Sequence, residues 1–227
     1  MKLANVEMAV LCQHLGEYDN SYLASVVQEH RDTFVAVGLI DDTAIDHMRM
    51  LEETARGQIL KGIRLSEETL IRTPALAYAA IDLGLIPLID PANGIAEVID
   101  IVREIARKRP ERPVVINHLG CPNVTDGKMD RGFEILTLAS EPNVVVQLSG
   151  RLECCSFPYS PLDELVVRIV RAFGASRVMW GSNFPVDGDK FAYLRDLELL
   201  QHDHLGFGSY DLEWIMGGSA RRVWFES

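Results

Sequence analysis

Pro113-Val114-Val115-Ile116-Asn117-His118-Leu119-Gly120-Cys121-Pro122 is a short β-branched run that stops at an imidazole and a glycine turn. Consecutive apolar residues leave no polar face, so the run reads as a strand buried on both sides, as in a parallel sheet. Six further runs of the same kind lie at residues 8–13, 34–40, 60–65, 85–90, 143–149 and 177–182. Between them the apolar residues recur at helical spacing, over 19–30, 42–56, 67–83, 94–108, 130–139, 161–173 and 190–201 with 210–224. Strand and helix in alternation predict an α/β chain of crossover units. A closed (β/α) barrel needs eight strands. The expected fold is therefore an incomplete TIM-like barrel with seven recognisable parallel strands, its first βα unit missing. Residues 2–7 read as the last turn of a helix entering the strand at Met8, as if the chain opened inside that first unit. No Gly-rich phosphate loop follows the first strand and no Pro/Ser/Gly linker divides the chain, so residues 1–227 are read as one domain.

Composition narrows the partners. Of 227 residues, 48% are hydrophobic and 24% charged, which is ordinary for a globular protein. Lys and Arg number 22 against 33 Asp and Glu, a net charge of −11, which repels nucleic acid and anionic lipid. No apolar run approaches the ~20 residues that span a bilayer. The first residues carry one Lys and no long apolar stretch, unlike a secretion signal. Cys12, Cys121, Cys154 and Cys155 are few, and the last two are vicinal, so all four are read as thiols in a reducing cytoplasm.

In parallel barrels, chemistry gathers at the carboxyl ends of the strands. Those ends carry Gln13 and His14, Asp41, Arg64, Asp90, His118, Ser149 with Arg151, and Asn183. Each has a plainer reading. Asp41 and Asp42 precede a helix and suit N-capping, and Asp90-Pro91 suits a turn. Arg64 could serve a structural ion pair, and Arg151 could bind a carboxylate or merely cover the rim. His118 closes an apolar strand at the expected barrel mouth, which favours a functional imidazole. His202-Asp203-His204 has a ligand-like spacing but closes a helical stretch, so surface histidines are expected there. Lys61 lies near the start of its strand, the wrong end for Schiff-base chemistry.

Taken together, these stretches resemble the amidohydrolase-related TIM-barrel hydrolases, the branch of fuconolactonase-like sugar lactonases and 2-pyrone-4,6-dicarboxylate lactonase. His118-Leu119-Gly120-Cys121-Pro122 is similar to that branch's His-Leu-Gly-x-Pro, and residues 143–150 to its Asn-Val-x-x-Lys-Leu-Ser-Gly, with Gln147 for Lys. Residues 173–186 resemble Phe-Gly-x-x-Arg-x-Met-x-Gly-Ser-Asp-x-Pro, with Asn183 for the Asp. Residues 18–23, 61–65 and 217–222 also match, with Ser219 where Asn is usual.

The resemblance implies hydrolysis of a small carbonyl substrate, most simply a lactone or a carboxylate-bearing relative of one. Family members often hold a divalent metal through a strand-one His-x-His and the strand-eight Asp. Here the first is absent and the second is Asn183, so no cofactor and no metal ligand are expected. His118 and Asn183 are the expected catalytic pair, and Arg64, Arg151, Asp90 and Gln13 the expected substrate contacts. The alternative is a catalytically degenerate or truncated relative that binds a small acid or serves a structural role. Two open sheet edges would also invite a homodimer.

Overall fold

The seven apolar runs form one parallel sheet in the computed structural model, which describes residues 1–202 and 205–226. After a single tight turn at Lys2–Ala4, strand β1 (Ala9–Cys12) leads to helix α1 (Ser21–Glu29) and β2 (Phe34–Gly38). Helix α2 (His47–Gly57), β3 (Leu60–Ser66), helices α3 (Glu67–Arg72) and α4 (Pro74–Asp82), β4 (Ile86–Asp90), α5 (Ile99–Lys108) and β5 (Val114–Ile116) come next. A hairpin of β6 (Asn123–Thr125) and β7 (Lys128–Arg131) then interrupts the alternation before β8 (Val144–Leu148). A short α6 (Arg151–Cys154), α7 (Asp163–Phe173), β9 (Val178–Trp180), α8 (Lys190–Gln201) and α9 (Ser209–Glu213) follow, and wider helical turns at Trp214–Gly218 and Arg221–Phe225 continue α9. The order β1-β2-β3-β4-β5-β8-β9 leaves β1 and β9 as the edges of an incomplete barrel.

Strand period two sorts the side chains into two layers. Val35, Val37, Ile86, Leu88, Val115, Val145 and Met179 face inward and pack around Val223 and Trp224. The alternate residues, among them Ile63, Leu65, Ile89, Ile116 and Val146, face the helices and form the larger core with Leu51, Leu70, Ile81, Ile105 and Ile169. Trp224, 1% exposed, plugs the inner face because Gly62 has no side chain there. A Cβ at Gly62 would sit 2.4 Å from the Ile86 carbonyl oxygen and 3.2 Å from the Trp224 ring. The inward parity that places Gly62 under the plug places Arg64, two residues on, at the mouth.

Two expected helices differ. The stretch 67–83 divides at Thr73, because Pro74 has no N–H and disfavours helical backbone in the residue before it. The stretch 130–139 begins instead as the second strand of the hairpin, with a 3₁₀ helix only at Phe133–Ser140. Asp126 and Gly127, with φ of 51° and 71°, supply the two left-handed residues of a tight hairpin turn.

Removing the Trp224 plug is expected to cost about 3–5 kcal/mol. Urea denaturation of Trp224→Ala measures it; a loss below about 1 kcal/mol would show that the inner face does not depend on this ring.

Candidate active site

The carboxyl ends of the strands open into a hollow of about 650 Å³ lined by His14, Arg64, Asp90, His118, Glu153 and Asn183. A second hollow of about 540 Å³ shares Arg64, His118 and Asn183 and runs along β9 towards Gln147 and Trp224. Four of the expected residues, Arg64, Asp90, His118 and Asn183, far apart in sequence, thus converge.

Arg64 and Asp90 are locked together. Arg64 Nε and Nη2 both donate to Asp90 Oδ2, at 2.9 and 2.5 Å, and Nη1 donates to the Gln13 carbonyl at 3.2 Å. The side chains are 15% and 4% exposed. The pair therefore ties the ends of β1, β3 and β4 together, and it cancels most of the charge either group would show a ligand. Gln13 enters through its backbone; its side-chain amide donates to the Asp19 carbonyl at 2.8 Å.

His118 is buried, and the turn that presents it is unusual. His118, Leu119, Gly120 and Cys121 all have positive φ, between 47° and 75°. Its Nδ1 lies 2.8 Å from Ser149 Oγ, which also reaches Asn117 Oδ1 at 3.5 Å. Gly150, with φ of 64°, packs under the ring: a Cβ there would lie 2.5 Å from His118 Nδ1. Burial is the main cause that lowers the His118 pKa from its ordinary value, with Asp90 and Glu153 opposing it. The imidazole is thus neutral near pH 7. The contact fits two tautomers: Nδ1–H donates to Ser149 Oγ while Ser149 donates to Asn117 Oδ1, or Ser149 donates to Nδ1 itself. In the second, Nε2–H is the ring donor available to a bound molecule.

Asn183, in left-handed backbone with φ of 48°, uses its amide nitrogen twice. Nδ2 donates to Glu153 Oε1 at 2.6 Å and to Asp187 Oδ1 at 2.9 Å. Burial, followed by the Glu153 and Asp196 charges, raises the Asp187 pKa against the Asn183 hydrogen bond.

Arg151, expected to hold substrate, does not face either hollow. It is 3% exposed, its Nη2 donates to Asp196 Oδ1 at 2.6 Å, and its guanidinium lies over the Tyr159 ring at 4.7 Å. The other Asp196 oxygen accepts from Trp180 Nε1 at 2.8 Å. Arg151 therefore anchors α6 to β9 and α8, and it positions Glu153 two residues on. Asp41 accepts from the Thr43 backbone and hydroxyl in a local turn, at 3.0 and 2.6 Å, away from the hollow. Of His202-Asp203-His204, the last two lie outside the described residues; His202 caps α8 through its backbone.

Glu153 and Asp187 were not among the expected site residues, because neither ends a strand. The thiols of Cys121 and Cys154 beside the hollow are raised by burial, Cys154 to about 12, which removes them as nucleophiles at neutral pH.

A family model described as Amidohydrolase matches residues 4–225. An L-fucono-1,5-lactonase of Burkholderia ambifaria is 30% identical over 200 residues, which cover 81% of this chain and 66% of that protein. The chain thus spans just under two thirds of that relative's length. An amidohydrolase from Burkholderia multivorans, solved with bound zinc, superposes with a TM-score of 0.75 at 18% identity, covering 96% of this chain and 83% of that one. A probable 2-pyrone-4,6-dicarboxylic acid hydrolase from Acinetobacter baumannii, solved with citric acid, gives 0.77 at 14% identity, covering 98% and 85%.

A metal does not suit this donor set. A catalytic zinc takes three protein ligands and an open position. Here Asp90 is held by a guanidinium, Asn183 turns N–H groups to its neighbours, and His118 Nδ1 is engaged with Ser149. Among the described residues, no group of three or more His, Cys, Asp or Glu is placed to hold a metal ion.

The lowered His118 pKa has a sign. Between about 6.5, its value when unfolded, and the lower folded value, the unfolded chain binds a proton that the folded chain does not. Stability contributed by neutral His118 is therefore full above that window and falls as pH drops through it. Urea midpoints at pH 8 and pH 5 should fall further for wild type than for His118→Gln; an equal fall in the variant would refute the assignment.

Proposed function

The chain belongs to the Amidohydrolase family, and we propose that it hydrolyses a small neutral lactone at the strand-end hollow without a metal ion. The observation that carries this reading is the neutral His118, oriented by Ser149 and sharing one hollow with Arg64. Water attack on a lactone carbonyl builds negative charge on the carbonyl oxygen. Fixed donors already aimed at such a charge accelerate the step because they need no reorganisation. In the tautomer whose Nδ1 accepts from Ser149, His118 Nε2–H is one such donor, and the Arg64 guanidinium stands beside it. Asn183 has no proton-accepting carboxylate, so its part is to hold neighbouring groups in place rather than to remove the proton from water.

Electrostatics favour an uncharged ring over a dicarboxylate. The Arg64 charge is matched by Asp90, the Arg151 charge is buried against Asp196, and at the mouth Glu153 offsets Arg131, so the lining has no excess positive charge for two carboxylates. The 30% identity to a sugar lactonase supports the same class, an aldono-lactone.

Turnover of aldono-1,5-lactones and of a pyrone-dicarboxylate lactone, followed by acid release at constant pH, tests the reading. Wild type is expected to prefer the neutral lactones and to keep its rate after dialysis against a chelator. His118→Ala should lower kcat on the order of 10²-fold, as loss of one oxyanion donor does. Absence of turnover, or an unaffected His118→Ala, would favour the other reading, a non-catalytic binder of small acids.

A further inference from the structure

Hydrolysis of a lactone by water needs a base, and the assignment of one rests on the lactonase function proposed above. We infer that Glu153, on α6, is the general base that activates the attacking water, since the residue that follows β9, Asn183, has no carboxylate to do so.

The geometry makes the transfer specific. Glu153 is exposed to the hollow that His118, Arg64 and Asn183 also line. Its Oε1 is held at 2.6 Å by the Asn183 amide, so one carboxylate oxygen is fixed and the other is left to take a proton. Both amide hydrogens are committed, one to Glu153 and one to Asp187, so the Asn183 nitrogen acts as a clamp between two carboxylates. The clamp has its own support. Arg151, on the same helical turn as Glu153, is buried against Asp196, which also holds Trp180 of β9, the strand that leads to Asn183. The helix carrying the base and the strand carrying the clamp are therefore fastened to one aspartate.

The other carboxylates of the site are less suited. Asp90 is doubly bound by Arg64 and is 3% exposed. Asp187 is half-buried and absent from the walls of both hollows. Among these three, Glu153 alone combines a free oxygen, access to solvent and a fixed position.

The step balances without a co-reactant. Glu153 removes one proton from water as the water oxygen bonds to the lactone carbonyl carbon, and the carbonyl π pair moves onto its oxygen beside His118 and Arg64. When that pair returns, the ring C–O bond breaks. Glu153 then passes its proton to the departing alkoxide, giving the open hydroxy acid.

Glu153→Gln is the decisive variant, because its side-chain oxygen still accepts from Asn183 while it can no longer take a proton. With an aldono-1,5-lactone that wild type hydrolyses, kcat is expected to fall about 10²- to 10⁴-fold with KM nearly unchanged, the range for loss of a positioned base. Glu153→Ala should regain activity in formate, while Glu111→Gln, on a distant loop, should match wild type. Circular dichroism and melting curves for the Glu153 variants should overlay that of wild type, since the side chain is exposed. A Glu153→Gln rate within about threefold of wild type, or no formate rescue of Glu153→Ala, would overturn the assignment of the base and leave the lactonase reading intact. A wild type silent on every lactone would overturn both.

Discussion

The bond between Arg64 and Asp90 organises the mouth of this barrel. It joins adjacent strands at the level where the inward face changes from apolar to polar, and through the Gln13 carbonyl it reaches the edge strand as well. A buried pair of this kind is weak as a source of net stability, because desolvation offsets much of the attraction. Its importance lies in the constraints it places on the hollow. Asp90 is not available to a metal, the pair shows little net charge to a ligand, and removing either partner would leave the other's charge largely buried and unpaired. The hollow is left with polar groups but little net positive charge, which sets the kind of molecule it can receive.

Beside this pair, the ends of β5 and β8 meet with almost no spare room. Four successive residues in left-handed backbone turn the chain sharply at His118, and non-glycine residues in that region cost on the order of 1–3 kcal/mol each. Gly150 allows β8 to approach the ring from beneath, where any side chain would collide. Strain concentrated at one imidazole, with Ser149 holding the ring's orientation, is what a pre-organised site requires. The surrounding core, with Leu119 and Ile116 nearly inaccessible, holds that turn in place.

The barrel was legible because fully buried strands leave an unmistakable pattern, and seven apolar runs became seven parallel strands. The hairpin was not, although Asp126-Gly127 is a strong turn signal: the apolar residues 133–138 drew the helix too far towards the N-terminus. Within the site, strand-end reasoning located Arg64, Asp90, His118 and Asn183. It failed for Arg151, because nothing in Leu148-Ser149-Gly150-Arg151 announces that Asp196, 45 residues later, turns the guanidinium inward. It also passed over Glu153, which sits one turn into a short helix that the sequence does not foreshadow.

The amide at position 183 gains a physical reason from the same neighbours. A carboxylate there would place a third negative group within hydrogen-bond distance of Glu153 and Asp187, with no N–H to hold them. Like charges so close cannot all ionise, and the least favoured would take up a proton. An amide removes one charge and adds two donors, so the two remaining carboxylates are bridged where they would otherwise repel. Seen alone, Asn for Asp looks like the loss of a catalytic group. In this setting it is the substitution that bridges Glu153 and Asp187 and fixes the Glu153 carboxylate at the wall of the hollow that His118 also lines.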